Sequence, residues 1–377
     1  MQTTPETTFL LGLLAFWIIT YVISQLLHAD KHGFKIAPFF LTYRSNKFKN
    51  AIERIGEKNK LLWKALCNVS IAIGLGLIIY ATYFLFSNLL KFFYPIGESV
   101  PVVPIIPAIT IGLDSLPYFF VAAAIVVILH EFAHGISAVA EKVTVKSAGL
   151  AFMLAFFGGF VEPEEKSFEK ASRTSKLRIV SAGSAVNLAT GLLVILLLSS
   201  LFATPTGVLV GGTTENGPLA RAGVQRFDVI YTVNNNQIST LQNLSDYLAG
   251  VTPGANLTLK INDRTVFITT ENVSGRAVIG LSNGLNYHPS RLGFDRITTA
   301  NTYLISYWTF LATFSVAVFN MLPAFPFDGE KFLYYYLADH VGEKRQLLLR
   351  VLINVVFFGL LLSNIVLSFW FFGLPRA

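Results

Sequence analysis

Five consecutive residues, His130-Glu131-Phe132-Ala133-His134, place two imidazoles and one carboxylate within a single helical turn. They sit in a run, 119–140, that carries no charge except Glu131 and is apolar enough to cross a membrane. An ionisable residue at that depth is costly, so its presence points to function. On a helix, positions i and i+4 share a face, and both imidazoles would point the same way. This is the zinc-binding spacing H-E-x-x-H, with Glu131 placed to act on a metal-bound water. The bland alternative is a pair of buried, hydrogen-bonded histidines beside a stray glutamate.

A catalytic zinc takes three protein ligands and leaves one position for water. The candidate third ligand is Asp328, in the stretch Asn320-Met321-Leu322-Pro323-Ala324-Phe325-Pro326-Phe327-Asp328-Gly329. Two prolines there must end or disrupt a helix, and Gly329 permits backbone geometry closed to other residues. An acid past such a break, at the depth of the histidines, is well placed to ligate. The alternative is that Asp328 only caps a following helix over 329–337.

What must position these groups is a set of membrane spans. Of 377 residues, 53% are hydrophobic and 14% charged, against about a quarter charged in soluble chains. Six spans of roughly 20 residues are expected, near 8–27, 66–90, 117–140, 177–202, 302–322 and 349–371. The fold class is therefore a polytopic α-helical membrane protein. The net charge of +7 is concentrated in 28–64, which reads as a cytoplasmic, lipid-facing loop; its segment 31–64, with Phe34, Phe39, Phe40 and Phe48 interleaved, also reads as an interfacial amphipathic helix. Nucleic-acid binding is excluded for want of any basic–aromatic motif. The lone Cys67 excludes an intrachain disulfide and a multi-cysteine zinc site. The first apolar run is too long for a signal-peptide core and lacks a basic start, so it reads as a true span. The positive-inside rule puts the N-terminus outside, the histidine pair toward the cytoplasmic half and residues 203–295 outside.

Two apolar stretches are too broken to span. Residues 95–117 hold five prolines and read as extended or hairpin structure. Residues 149–163 are short, end in a Gly-Gly break, and read as a re-entrant hairpin. Residues 203–295 switch to strand-like runs at 208–210, 229–233, 257–261 and 266–269, with turns at 216–218, 234–236 and 253–254. They make one mixed α/β or all-β domain, in which the sequons at Asn243, Asn256 and Asn272 suit an outside location. The chain thus divides into 1–65 (first span and basic loop), 66–202 (first half of a membrane core), 203–295 (outer domain) and 296–377 (second half of the core). His28, His32, His288 and His340 have no partners at ligand spacing and read as surface or interface residues.

The pairing of His130–His134 with a later N-x-x-P-x-x-P-x-D-G resembles the site-2 protease family of intramembrane zinc metalloproteases. Gly183-Ser184-Ala185-Val186-Asn187 is similar to that family's G-x-x-x-N element, and Gly159-Phe160-Val161-Glu162-Pro163 to its stretch after the first motif. The resemblance implies one Zn2+ per chain held by His130, His134 and Asp328, with Glu131 as general base and then acid. It implies Asn187 as a donor to the oxyanion or a holder of substrate, and Asn320, Gly183 and Gly159 as substrate-contacting positions. The embedded segments would pair with an unwound substrate strand. The outer domain resembles a circularly permuted PDZ domain of the bacterial kind, through Gly217-Pro218-Leu219-Ala220-Arg221-Ala222-Gly223-Val224 and the run 228–238. Within it, Ala277-Val278-Ile279-Gly280-Leu281 is similar to a loop that captures a peptide C-terminus, with Gly280 as its contact residue; a size filter is the alternative role. Expected partners are single-pass membrane proteins and the lipid bilayer, in a cell membrane of prokaryotic type. Two rival functions are a metal transporter or pore using the same four residues, and a non-enzymatic peptide-binding scaffold.

Overall fold

The computed structural model describes residues 5–94, 97–107, 109–154, 156–337 and 341–373. In chain order they form α1 (Pro5–Leu26), β1 (Phe34–Ala37), β2 (Phe40–Arg44), α2 (Asn46–Glu57), α3 (Lys60–Phe93), α4 (Leu116–Ala140), β3 (Val145–Met153) and β4 (Phe156–Pro163). There follow α5 (Glu165–Glu169), α6 (Arg173–Leu201), β5 (Gly207–Thr213), α7 (Pro218–Arg221), β6 (Val229–Val233), β7 (Asn236–Gln237) and α8 (Leu241–Ala249). The last elements are β8 (Asn256–Ile261), β9 (Arg264–Thr269), β10 (Glu271–Val273), β11 (Arg276–Val278), β12 (Leu281–Tyr287), α9 (Arg296–Asn320), α10 (Asp328–Leu337) and α11 (Glu343–Phe372). Among the described residues six helices, α1, α3, α4, α6, α9 and α11, are long and apolar enough to cross a membrane. At 1.5 Å per residue the 34 residues of α3 extend about 50 Å, well beyond a hydrocarbon core of about 30 Å. Two compact units emerge, one of residues 1–192 and 308–377 and one of 193–307.

In the first unit, small and hydroxylated residues let helices approach and bond to one another, as lipid-facing bundles require. Ser70 of α3 meets Ser181 of α6 at 2.8 Å, and Cys67 Sγ lies 3.3 Å from Ser137 Oγ of α4. At the other end of α3, Asn88 donates to Asn364 Oδ1 of α11 at 2.9 Å. Between these polar ties pack Leu77, Leu85, Met321, Leu322 and Phe332, all buried.

The first unit also holds a four-stranded antiparallel sheet in the order β1-β2-β3-β4. The hairpin expected over 149–163 is part of it, but its reversal falls at Leu154 (φ 54°), not at the glycine pair. Gly158 and Gly159 lie inside β4, paired with Ala151 and Leu150. They serve close packing: a Cβ on Gly159 would meet Val127 Cγ1 at 2.8 Å and Glu131 Cγ at 3.0 Å, both on α4. The basic segment is likewise not one amphipathic helix. Its first part is the hairpin β1–β2, which adds to β3 from Phe40↔Met153 to Arg44↔Gly149, and only 46–57 is an amphipathic helix. Sequence periodicity missed the hairpin because its apolar residues pair with strands a hundred residues away.

Residues 97–107 and 109–115 do not form a hairpin. Pro101, Pro104 and Pro107 supply no N–H for a ladder, and side chains serve this backbone instead. Asn88 brackets Val100 (Nδ2 to its C=O, 2.9 Å; Oδ1 from its N–H, 2.7 Å), and Ser368 accepts from Val102 N–H at 2.8 Å. Pro95 lies outside the described residues.

In the second unit an antiparallel sheet runs β12-β5-β6-β8-β9, with β7 paired to β6. Left-handed Asn234 and Asn235 turn β6 into β7, and Gly254 (φ 84°) opens β8, as the turn residues predict. Its core is Val208, Leu219, Ile230, Leu244, Leu259 and Ile261. Asp228, buried, gathers the N–H of Gln225 (3.0 Å), Asn262 Nδ2 (2.7 Å) and Arg264 Nη2 (3.1 Å), with Arg296 of α9 at 3.5 Å. Leu259 is fully enclosed. Leu259→Ala should lower the opening free energy of the β6 and β8 amides by about 2–5 kcal/mol, read by hydrogen exchange.

Candidate metal centre

The site is assembled from α4, α6, the end of α9 and the start of α10. His130 and His134 lie one turn apart on α4, their rings 4.6 Å between centroids. Helix α9 stops at Asn320, and after seven intervening residues α10 starts with Asp328. Gly329 makes that start possible: a Cβ there would sit 2.1 Å from the Met321 carbonyl oxygen. The backbone therefore folds back tightly on the end of α9 and delivers the Asp328 carboxylate to the histidines.

Asp328 Oδ2 lies 3.2 Å from His130 Nε2 and 3.0 Å from His134 Nε2, and the two nitrogens are 3.0 Å apart. These three residues are the group, among the described residues, able to hold a metal ion. The donor set fits zinc. Ligand atoms about 2.0–2.1 Å from a tetrahedral zinc stand about 3.3 Å from each other, close to all three separations. The remote ring nitrogens support the same reading. His134 Nδ1 lies 2.6 Å from the Ile179 carbonyl oxygen, which only an N–H can satisfy. With Nδ1 as the donor, the neutral ring presents its Nε2 lone pair to the site, the form in which a histidine ligates a metal.

Asn187, fully buried on α6, faces the Nδ1 of His130 through its Nδ2 at 3.1 Å, while its Oδ1 has no partner. Turning the amide by half a rotation places Oδ1 on a His130 Nδ1–H. Asn187 thus touches the ring nitrogen remote from Asp328. Asn320 lies on the other side, its Nδ2 2.7 Å from Asp328 Oδ2 and 3.0 Å from His130 Nε2.

Gly183 lies beneath the two rings, where a Cβ would be 2.4 Å from His134 Nε2 and 2.6 Å from His130 Cε1. It makes room for the imidazoles, and that is a positional reason for glycine independent of substrate. Glu131 turns toward the sheet, its Oε2 accepting from the Val161 N–H of β4 at 2.9 Å. Gly280 is in the second unit, at φ 78°, packed against Gly217 and Pro218. Among other acids near the sheet, Glu162 is held below the usual carboxylate range by hydrogen bonds from Lys146 and Ser147. Of the remaining histidines, His288 stacks on Tyr303 at 4.4 Å and lies 3.0 Å from the Ala203 carbonyl oxygen. His28 and His32 flank and end a short 3-10 turn, and His340 lies outside the described residues.

Two residues that pattern reading left without a role stand close to the site: Ile179, through its carbonyl, and Glu330, two residues past Asp328. No side-chain motif marks Ile179, because a backbone group does its work. Gly183→Ala should weaken zinc binding by about 10–100-fold, measured by competition with a chelator, since its methyl would displace both rings.

A family model for Peptidase family M50 matches residues 118–363, which includes the whole of this site. An uncharacterized protein of Methanocaldococcus jannaschii is 27% identical over 336 residues, covering 87% of this chain and 85% of that protein. With six helices of membrane-spanning length and a family match over more than half its residues, the chain belongs to Peptidase family M50, the site-2 protease family of metallopeptidases.

Proposed function

We propose that this protein is an intramembrane zinc peptidase that hydrolyses peptide bonds within transmembrane segments of other membrane proteins. The observation that carries this reading is the convergence of Asp328 on His130 and His134, which lie with Glu131 in a helix of membrane-spanning length. In it, His130, His134 and Asp328 hold one Zn2+, which when bound polarises the scissile carbonyl and lowers the pKa of water. Glu131 takes the proton from the attacking water and passes it to the departing amine. His134 is fixed by the Ile179 carbonyl and His130 by Asn187, which in this reading orients a ligand ring and does not donate to the oxyanion. Asn320 donates to Asp328 and stands at the site, where it is the available amide for a developing oxyanion.

Substrate helices must unwind before their backbone can be cut. β4 is an edge strand, and its Val161 N–H points away from β3 toward Glu131. A substrate strand added to this edge would recover lost backbone hydrogen bonds and lie beside the base. Gly159 keeps that strand close to α4. The second unit is proposed as a PDZ-like domain. Between α8 and the loop at Gly280 it holds a groove of about 810 Å3, lined by Leu244, Leu248, Ile279 and Leu281. β12 is an edge of its sheet, so a peptide C-terminus can extend that sheet. Basic residues between α1 and α3 and after α4 support a cytoplasmic location for those loops, with the second unit outside and the site toward the cytoplasmic side.

Purified protein should carry one zinc and cleave members of a panel of single-pass membrane segments in detergent. Glu131→Gln should reduce cleavage by at least about a thousandfold while retaining zinc; full activity would sink the mechanism. Asp328→Asn should lower zinc occupancy, measured by elemental analysis. Zinc moving across liposomes loaded with the protein, without any cleavage, would favour a transporter instead.

A further inference from the structure

The segment that leads into Asp328 has no helical ladder of its own. Between α9 and α10 its backbone bonds are short-range: Leu322 N–H to Phe319 at 3.0 Å, Ala324 N–H to Leu322 at 2.7 Å, and Phe327 N–H to Ala324 at 2.9 Å. The Phe325 N–H leaves this set and donates to Asn354 Oδ1 of α11 at 2.5 Å. Asn354 Nδ2 in turn donates to the Arg350 carbonyl at 2.8 Å, which leaves its Oδ1 as the acceptor.

One turn earlier on the same face of α11, Arg350 grips the other side of the segment. Its Nε and Nη2 donate to the two oxygens of Glu330, the second at 3.1 Å, and its guanidinium lies 5.1 Å from the Tyr334 ring centre. Glu330 is only 4% exposed, so its carboxylate has been withdrawn from solvent for this fork. Much of the rest of α11 faces outward, with Leu347, Leu348, Val351 and Val355 all more than half exposed. Near its start this largely outward-facing helix thus presents two polar residues, at i and i+4, to points three residues before and two residues after Asp328.

We infer that Arg350 and Asn354 are positioning residues: α11 clamps the broken segment from both sides and thereby sets the reach of the Asp328 carboxylate to the histidine pair. Neither residue touches the site. Two bonds bracketing a six-residue arc restrict that arc far more than one, because each removes rotational freedom left by the other. This inference rests on the metallopeptidase reading for its ligand set, but its measurement needs no substrate.

The test uses the full-length protein in detergent, loaded with Co2+ in place of zinc, and reads the visible ligand-field spectrum and the rate of metal loss to a chelator. Asn354→Leu, which removes the acceptor, should release cobalt about tenfold faster and alter the spectrum. Asn354→Asp, which keeps an acceptor, should behave as wild type. Arg350→Lys keeps the charge opposite Glu330 but loses the fork, and should give an intermediate rate. Asn364→Leu is the control. It removes a buried amide from the same helix, one that bonds to Leu85 and Asn88 of α3, and should leave the spectrum unchanged. Wild-type release rates in Asn354→Leu, or equal acceleration in Asn364→Leu, overturn the clamp. A wild type that takes up no cobalt overturns the metallopeptidase reading, and the clamp with it.

Discussion

Two imidazole nitrogens and one carboxylate oxygen lie within 3.2 Å of each other inside a bundle of apolar helices, and this cluster constrains everything around it. Such a cluster is expensive to hold in a low-dielectric interior, because each polar atom withdrawn from water must find a partner. The neighbouring structure is organised to supply them. The Ile179 carbonyl and Asn187 serve the outer nitrogens of the two rings, Asn320 serves the carboxylate, and Gly183 leaves the space the rings occupy. A divalent ion would complete the arrangement by taking the inward lone pairs of the three residues able to hold it.

The same economy runs through the non-helical backbone of the first unit. Irregular chain packed among apolar helices needs protein groups to replace water as hydrogen-bond partners. Asn88 and Ser368 do this for the proline-rich stretch, Asn354 for the break before Asp328, and the sheet ladder for residues 145–163. Asparagine recurs in this role because its amide offers both a donor and an acceptor on a short, stiff side chain. The edge of β4 is the exception, since Val161 N–H is met by a carboxylate and not by another strand. The side chain that meets this edge is Glu131.

Much of this protein was legible from one dimension. Spans announce themselves by length and apolarity, the histidine pair by its i, i+4 spacing, and the break before Asp328 by two prolines and a glycine; all of these are local patterns. The turns of the second unit were equally local, carried by Asn234, Asn235 and Gly254. Other features were not visible because their cause lies far off in sequence. The hairpin β1–β2 takes its register from β3, more than a hundred residues away, and its basic residues read misleadingly as helix. Gly158 and Gly159 look like a chain break but are strand residues pressed against α4.

By itself, the sequence determined which groups exist to do chemistry and that they must lie among membrane-crossing helices. Residue type and spacing carry that information whatever the chain does elsewhere. Tertiary structure alone decided that Asp328 meets the histidines, that Asn187 faces a ring nitrogen, and that a lipid-facing helix holds the arc from Phe325 to Glu330 from behind. Those outcomes depend on helix contacts between residues up to about two hundred positions apart, and no local periodicity encodes a distance of 3 Å across such a gap.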